Sequence, residues 1–211
     1  MTQISFLYIV KIKFSIREFK PLGWFMTINV INLENALEVL GQLLADRKLH
    51  YEAVAIGGGG LLLLGLIERA TKDLDLVAMV KDQNLISADP IPLPLLRAAE
   101  EVALALKLGK DWLNTGPASL LASGLPSGFM NRLHIRRYKG LTLYIADRFD
   151  QICFKLYASV DQGPQSKHFM DLKALIPTSE ELQSAKNWCL TQDASIAFET
   201  NLDEAISCLT N

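Results

Sequence analysis

The run Gly57-Gly58-Gly59-Gly60, followed across an apolar stretch by Arg69-Ala70-Thr71-Lys72-Asp73-Leu74-Asp75-Leu76, constrains this chain more than any other feature. Consecutive glycines are poor helix and strand formers, so they mark a turn. The apolar residues 61–69 read as a buried helix that opens from it. Residues 72–80 read as the next strand, with Asp82-Gln83-Asn84 as a loop after it. Strand side chains alternate faces, so Asp73 and Asp75 point one way while Leu74 and Leu76 point into the core. Two carboxylates on one face repel each other unless a cation lies between them. Mg²⁺ suits such a pair, because it takes one or two carboxylates together with substrate phosphates. Free backbone N–H groups at a helix start attract phosphate. One segment therefore offers a phosphate seat and a metal seat.

Two other glycine motifs are excluded. The spacing GxGxxG of dinucleotide folds is not met, since Leu62 stands where its last glycine belongs, and the P-loop's Gly-Lys-Ser/Thr is missing.

The 211 residues suffice for one sizeable core with a helical appendage. Half of them are hydrophobic and the charged share is ordinary, so a globular protein is expected. A net charge of −2 argues against nonspecific coating of nucleic acid. A local basic cluster of Arg132, Arg136, Arg137, Lys139 and Arg148 is either a solvated face or a surface that receives RNA or a triphosphate. Cys153, Cys189 and Cys208 are widely spaced with no CxxC pair. They read as free thiols of a reducing compartment, which sets the expected localisation as cytoplasmic. No apolar run reaches transmembrane length, so no membrane partner is expected.

The expected fold class is α/β (α+β): a small mixed sheet flanked by helices, with a helical C-terminal part. Leucines at helical spacing place a helix over 33–49, with Asn32 as its N-cap. Residues 51–56 form a strand, and 95–108 a helix. Runs 132–138 and 141–146, joined by Lys139-Gly140, form a hairpin. Asp147 caps a helix through 160, and a short helix covers 168–175. Thr178-Ser179-Glu180-Glu181 is a capping box for another through 191, and a last helix covers 201–209. The core should occupy 26–150, with 151–211 packed on it. Met26 precedes what looks like an ordinary domain start, which puts residues 1–25 outside the core; a genuine edge strand is the alternative.

The ordered set of motifs is similar to a known family. The glycine turn, the Arg-x-Thr-Lys-Asp-Leu-Asp-Leu strand, the Asp111-Trp112-Leu113-Asn114 turn and the helix start from Arg148 to Lys155 belong to it. So does Asp161-Gln162-Gly163-Pro164-x-Ser166-Lys167-His168-x-x-Asp171-Leu172. Together, over roughly 30–195, they resemble the DUF6036 group of minimal nucleotidyltransferases in the polymerase-β-like superfamily, relatives of the AbiEii and MenT type toxins of toxin–antitoxin pairs. The resemblance implies transfer of a nucleotidyl group from an NTP to a hydroxyl of RNA, protein or a small molecule. It also implies an antitoxin partner and two Mg²⁺ ions ~3.5–4 Å apart.

By matching position, Gly58 and Gly59 would hold the triphosphate, Asp73 and Asp75 the metals. Lys155 would contact the nucleotide, and Asp171 would be the family's later acidic residue. Arg69 and Thr71 either cap and pack or touch the nucleotide. Lys167 and His168 are further nucleotide-binding candidates, His168 as base, phosphate ligand or helix-start donor. Two departures stand out. Glycine replaces the Ser or Thr that usually follows the double glycine, and the hairpin strands carry no third carboxylate. Asp147, Asp161 and Asp171 are the candidates for it. The alternative function is therefore a catalytically impaired nucleotide-binding or partner-binding module of the same fold.

Overall fold

The structure, a computed structural model, describes residues 28–210; the expectation for residues 1–25 lies outside them. The described chain runs α1 (Val30–Asp46), β1 (Tyr51–Ile56), α2 (Gly57–Leu63), β2 (Leu74–Lys81), β3 (Asn84–Ser87), α3 (Leu93–Leu106), β4 (Leu113–Asn114), α4 (Ser119–Ser123), α5 (Phe129–Arg132), β5 (His134–Tyr138), β6 (Leu141–Ile145), α6 (Arg148–Gln162), α7 (Lys167–Ala174), α8 (Ser179–Gln192) and α9 (Ile196–Thr210). The strands form one mixed sheet of order β3-β2-β1-β6-β5, with β4 also paired to β2. The fold is thus α/β with a helical C-terminal part, as the sequence led us to expect.

The central strand β1 lies parallel to β6 and antiparallel to β2. Ile56 therefore pairs with Asp75, and the end of β1 meets the start of β2. β6 ends beside it, with Ala55 opposite Ile145. Everything that follows β1 and β6 or precedes β2 starts from this one end of the sheet.

Four local readings are corrected. Asn29, not Asn32, caps α1: its side-chain oxygen accepts the Asn32 N–H at 2.9 Å. The helix after the glycines begins inside them and stops at Leu63. Gly65, at φ +69°, ends it, with the Leu66 N–H returning to the Leu61 carbonyl at 2.9 Å. The presumed loop at Asp82-Gln83-Asn84 is a tight hairpin turn into β3, with Asp82 and Gln83 both at positive φ. The Asp111 turn carries a further short strand, β4, parallel to β2.

α1 buries Leu33, Ala36, Leu37, Leu40 and Leu44 against β5, β6 and α3. Its contact with the hairpin is backbone-close: a Cβ on Gly41 would stand 1.8 Å from the Tyr138 carbonyl oxygen. Trp112 is fully buried and donates its indole N–H to the Ala99 carbonyl at 2.9 Å. The same apolar cluster runs on into the C-terminal helices through Cys153, Leu156, Leu172, Trp188 and Leu202. No helix among the described residues is long and apolar enough to cross a membrane. The three cysteines are free, Cys153 and Cys189 buried and Cys208 exposed.

Candidate functional site

The shared end of β1, β2 and β6 brings the sequence candidates together. Leu74 and Leu76 are buried and Asp75 between them is half-buried, as strand alternation requires; β2 begins only at Leu74, so Asp73, also half-buried, stands one residue before the strand rather than in it as expected. Gly57, at φ +75°, turns the chain from β1 into α2. Each missing glycine side chain leaves room for a group of the site. A Cβ on Gly57 would lie 2.5 Å from Asp75 Oδ2, one on Gly58 3.0 Å from Thr71 Oγ1 and 3.2 Å from Arg69 Nη2. One on Gly59 would lie 2.9 Å from the Asp73 carbonyl, and one on Gly60 2.8 Å from Gln151 Nε2. The glycine run is therefore a close-approach surface for the Asp-x-Asp strand and its neighbours, as well as a turn. The first N–H groups of a helix have no partner within it. Here the Gly57 N–H is taken by Gln151 Oε1 at 2.9 Å, and Ile56 at the N-cap has no side chain that could cap the rest.

The second wall comes from α6 and α7. Lys155 is almost wholly buried, and its Nζ lies 2.7 Å from Asp171 Oδ2. A lysine that snorkels to solvent is thereby ruled out. Arg69 reaches the same carboxylate with two parallel bonds, Nε to Oδ1 and Nη2 to Oδ2, both 2.5 Å. Asp171 thus ties the turn before β2 to α6 and α7. Thr71 is buried, and its hydroxyl lies 3.4 Å from both the Asp73 carbonyl and Asp73 Oδ1. Lys167 opens α7 on the exposed side, and half-buried His168 follows it.

The electrostatics follow from this packing. Burial and the neighbouring Asp73 raise the Asp75 carboxyl, while a hydrogen bond from Asn114 and the charges of Lys155 and Lys167 oppose the rise. Asn114 stands beside Asp75 because β4 pairs with β2 there. Burial acts to raise Asp171 too, but the Arg69 bonds and Lys155 overcome it and hold that carboxyl below its ordinary value. Burial lowers Lys155, countered by Asp171. Burial and the nearby Lys155 and Lys167 push His168 down to about 4, so it is a neutral imidazole at physiological pH.

Among the described residues no group of three or more His, Cys, Asp or Glu side chains is placed to hold a metal ion. Asp147 caps α6 and pairs with His134 at 2.9 Å, Asp161 is exposed near the end of α6, and Asp171 belongs to Arg69 and Lys155. The donor set present, two half-buried carboxylates with Asp75 raised by burial and by its neighbour Asp73, would fit one Mg²⁺ that keeps waters and takes phosphate oxygens. The basic cluster is partly neutralised. Arg132 binds the buried Asp150, Arg148 binds Glu181 and the Leu175 and Ile176 carbonyls, and Arg136 donates to the Leu63 carbonyl.

Sequence reasoning missed Gln151. Its only signal was a polar residue one helical turn before Lys155 in an apolar stretch. No protein-family model matches the chain, and no curated protein or solved structure matches it significantly.

Proposed function

We propose that this protein is a small Mg²⁺-dependent nucleotidyltransferase that moves a nucleotidyl group from an NTP to a hydroxyl of RNA, protein or a small molecule. The observation that carries the reading is the meeting, at one sheet end, of the glycine turn, the Asp73/Asp75 pair and the Lys155–Asp171–Arg69 cluster. Asp73 and Asp75 would hold magnesium, which would neutralise the triphosphate and acidify the acceptor hydroxyl. Gly58 and Gly59 admit the phosphates close to the backbone. Lys155, Lys167 and Arg69 face them with positive charge, and neutral His168 can donate or accept a hydrogen bond without adding charge. Thr71 steadies Asp73. In the transfer the acceptor oxygen bonds the α-phosphorus, the bond from that phosphorus to the bridging oxygen breaks, pyrophosphate leaves, and the hydroxyl proton passes to water. The reading includes a cytoplasmic setting and an antitoxin as partner.

A second reading has one observation of its own. Among the described residues no third carboxylate joins the pair, Asp171 being committed to two cations, and this favours a nucleotide-binding module without turnover. Incubation with each α-labelled NTP, Mg²⁺ and total RNA or lysate separates the two. Transfer should be present in the wild type and fall at least a hundredfold in Asp73→Ala/Asp75→Ala, on the order of losing one strong electrostatic catalytic group. Transfer that persists in the double variant sinks the Asp73/Asp75 mechanism. Binding without transfer to any acceptor supports the module.

A further inference from the structure

Gln151 is fully buried in α6 beside Ile152, Cys153 and Phe154, where an aliphatic side chain would fill the space with no polar atoms. Its Oε1 accepts the Gly57 N–H at 2.9 Å, and its Nε2 has no partner among the described residues. A buried amide with its donor unused works against folding. Its oxygen, however, holds the first residue of the glycine turn, the one at φ +75° whose α-carbon faces the Asp75 carboxylate. One helical turn further on, Lys155 shares the same face of α6 and grips Asp171. A single helix face therefore hooks both walls of the site.

We propose that Gln151 is a positioning residue of the nucleotide and metal site: by holding the Gly57 amide it sets the glycine turn and Asp75 at a fixed distance from Lys155 and Asp171. The inference rests on the nucleotide-binding reading above. Gly60 belongs to the same device. A Cβ there would meet Gln151 Nε2 at 2.8 Å, the far end of a flexible side chain, while Ile145 Cγ2 at 3.4 Å leaves it room.

Two variants approach the contact from opposite sides. Gln151→Met keeps the length of the side chain and removes both polar atoms. Gly60→Ala leaves Gln151 in place and displaces its amide. Both should still melt cooperatively and close to the wild type. The first exchanges one stranded donor, its own amide, for another, the Gly57 N–H, and the second replaces a helical glycine with the best helix former. Mn²⁺ affinity by electron paramagnetic resonance, and affinity for the Mg²⁺ complexes of ATP, CTP, GTP and UTP by calorimetry, should each weaken about tenfold, the effect of loosening a residue behind a ligand. Exchange of the Gly57 amide should quicken in both. Variants that bind like the wild type overturn the proposal, and so do variants whose binding falls only in step with their melting temperature. A wild type that binds none of the four nucleotides overturns the nucleotide reading. In that case unchanged Mn²⁺ affinity and Gly57 exchange in the variants overturn the role of Gln151 as well.

Discussion

Asp171 shows how far one side chain's meaning depends on its partners. Its carboxylate is buried between Arg69 and Lys155, and of these only Arg69 has access to water. Removing the negative charge strands Lys155 in the interior. Asp171→Asn should therefore destabilise the fold by about 3 kcal/mol in urea unfolding, toward the lower end for a broken buried pair because Arg69 can turn to solvent. The pH dependence has a definite sign. The folded carboxyl lies below its ordinary value of 3.8, so its contribution is complete above that value and is lost as pH falls through the lower, folded one. The wild type should lose this part of its stability only under strong acid, and Asp171→Asn should lack that limb. Asp75 is the opposite case: half-buried next to another carboxylate, it is raised, and a cation is what would relieve it. The positions of Asp73, Asp75, Lys155 and Asp171 in the chain were legible. That Arg69 and Lys155 would both close on Asp171 was not, because the three come from segments separated by loops whose paths no periodicity encodes.

Elements were legible where the signal was local. The Thr178 capping box forms as expected, with both reciprocal bonds present, and Glu181 also receives Arg148. Asp147 caps α6, and the Lys139-Gly140 hairpin pairs β5 with β6. Elements failed where the decisive contact was distant. The two residues of β4 are a strand only because Leu113 and Asn114 line up with Leu74 and Asp75. α1 carries a glycine at 41 that helix propensity alone would disfavour. Its reason is the crossing of β5, where the Gly140 N–H also donates to the Gly41 carbonyl at 3.0 Å. Gly41→Ala should therefore destabilise the protein by about 2 kcal/mol or more in thermal or urea unfolding, although alanine is the better helix former by about 1 kcal/mol, because overpacking against backbone has no flexible side chain to absorb it. A stable Gly41→Ala protein would mean that α1 does not press on the hairpin in this way.

At the scale of the whole molecule, the site lies between the sheet and the C-terminal helices, and one apolar cluster spans both. A ligand that bridges the two walls should stabilise the entire fold. A Mg²⁺·NTP complex at a hundred times its Kd should add about 2.7 kcal/mol. For a chain of this length that is a rise in melting temperature of about 5–10 °C. Scanning calorimetry should show it in the wild type and not in Asp73→Ala/Asp75→Ala; an equal rise in both would place the nucleotide elsewhere. The sequence by itself determined the mixed sheet flanked by helices, the glycine turn and the alternation of Asp75 with the buried Leu74 and Leu76. These follow from periodicity and turn chemistry, which act between neighbours in the chain. Only the tertiary structure decided that Asp171 is shared by Arg69 and Lys155, that no third acid among the described residues reaches the pair, and that Gln151 accepts the Gly57 N–H. Those outcomes depend on how helices far apart in the chain pack on one end of a sheet, and side-chain geometry there is set by the packing of all of them at once.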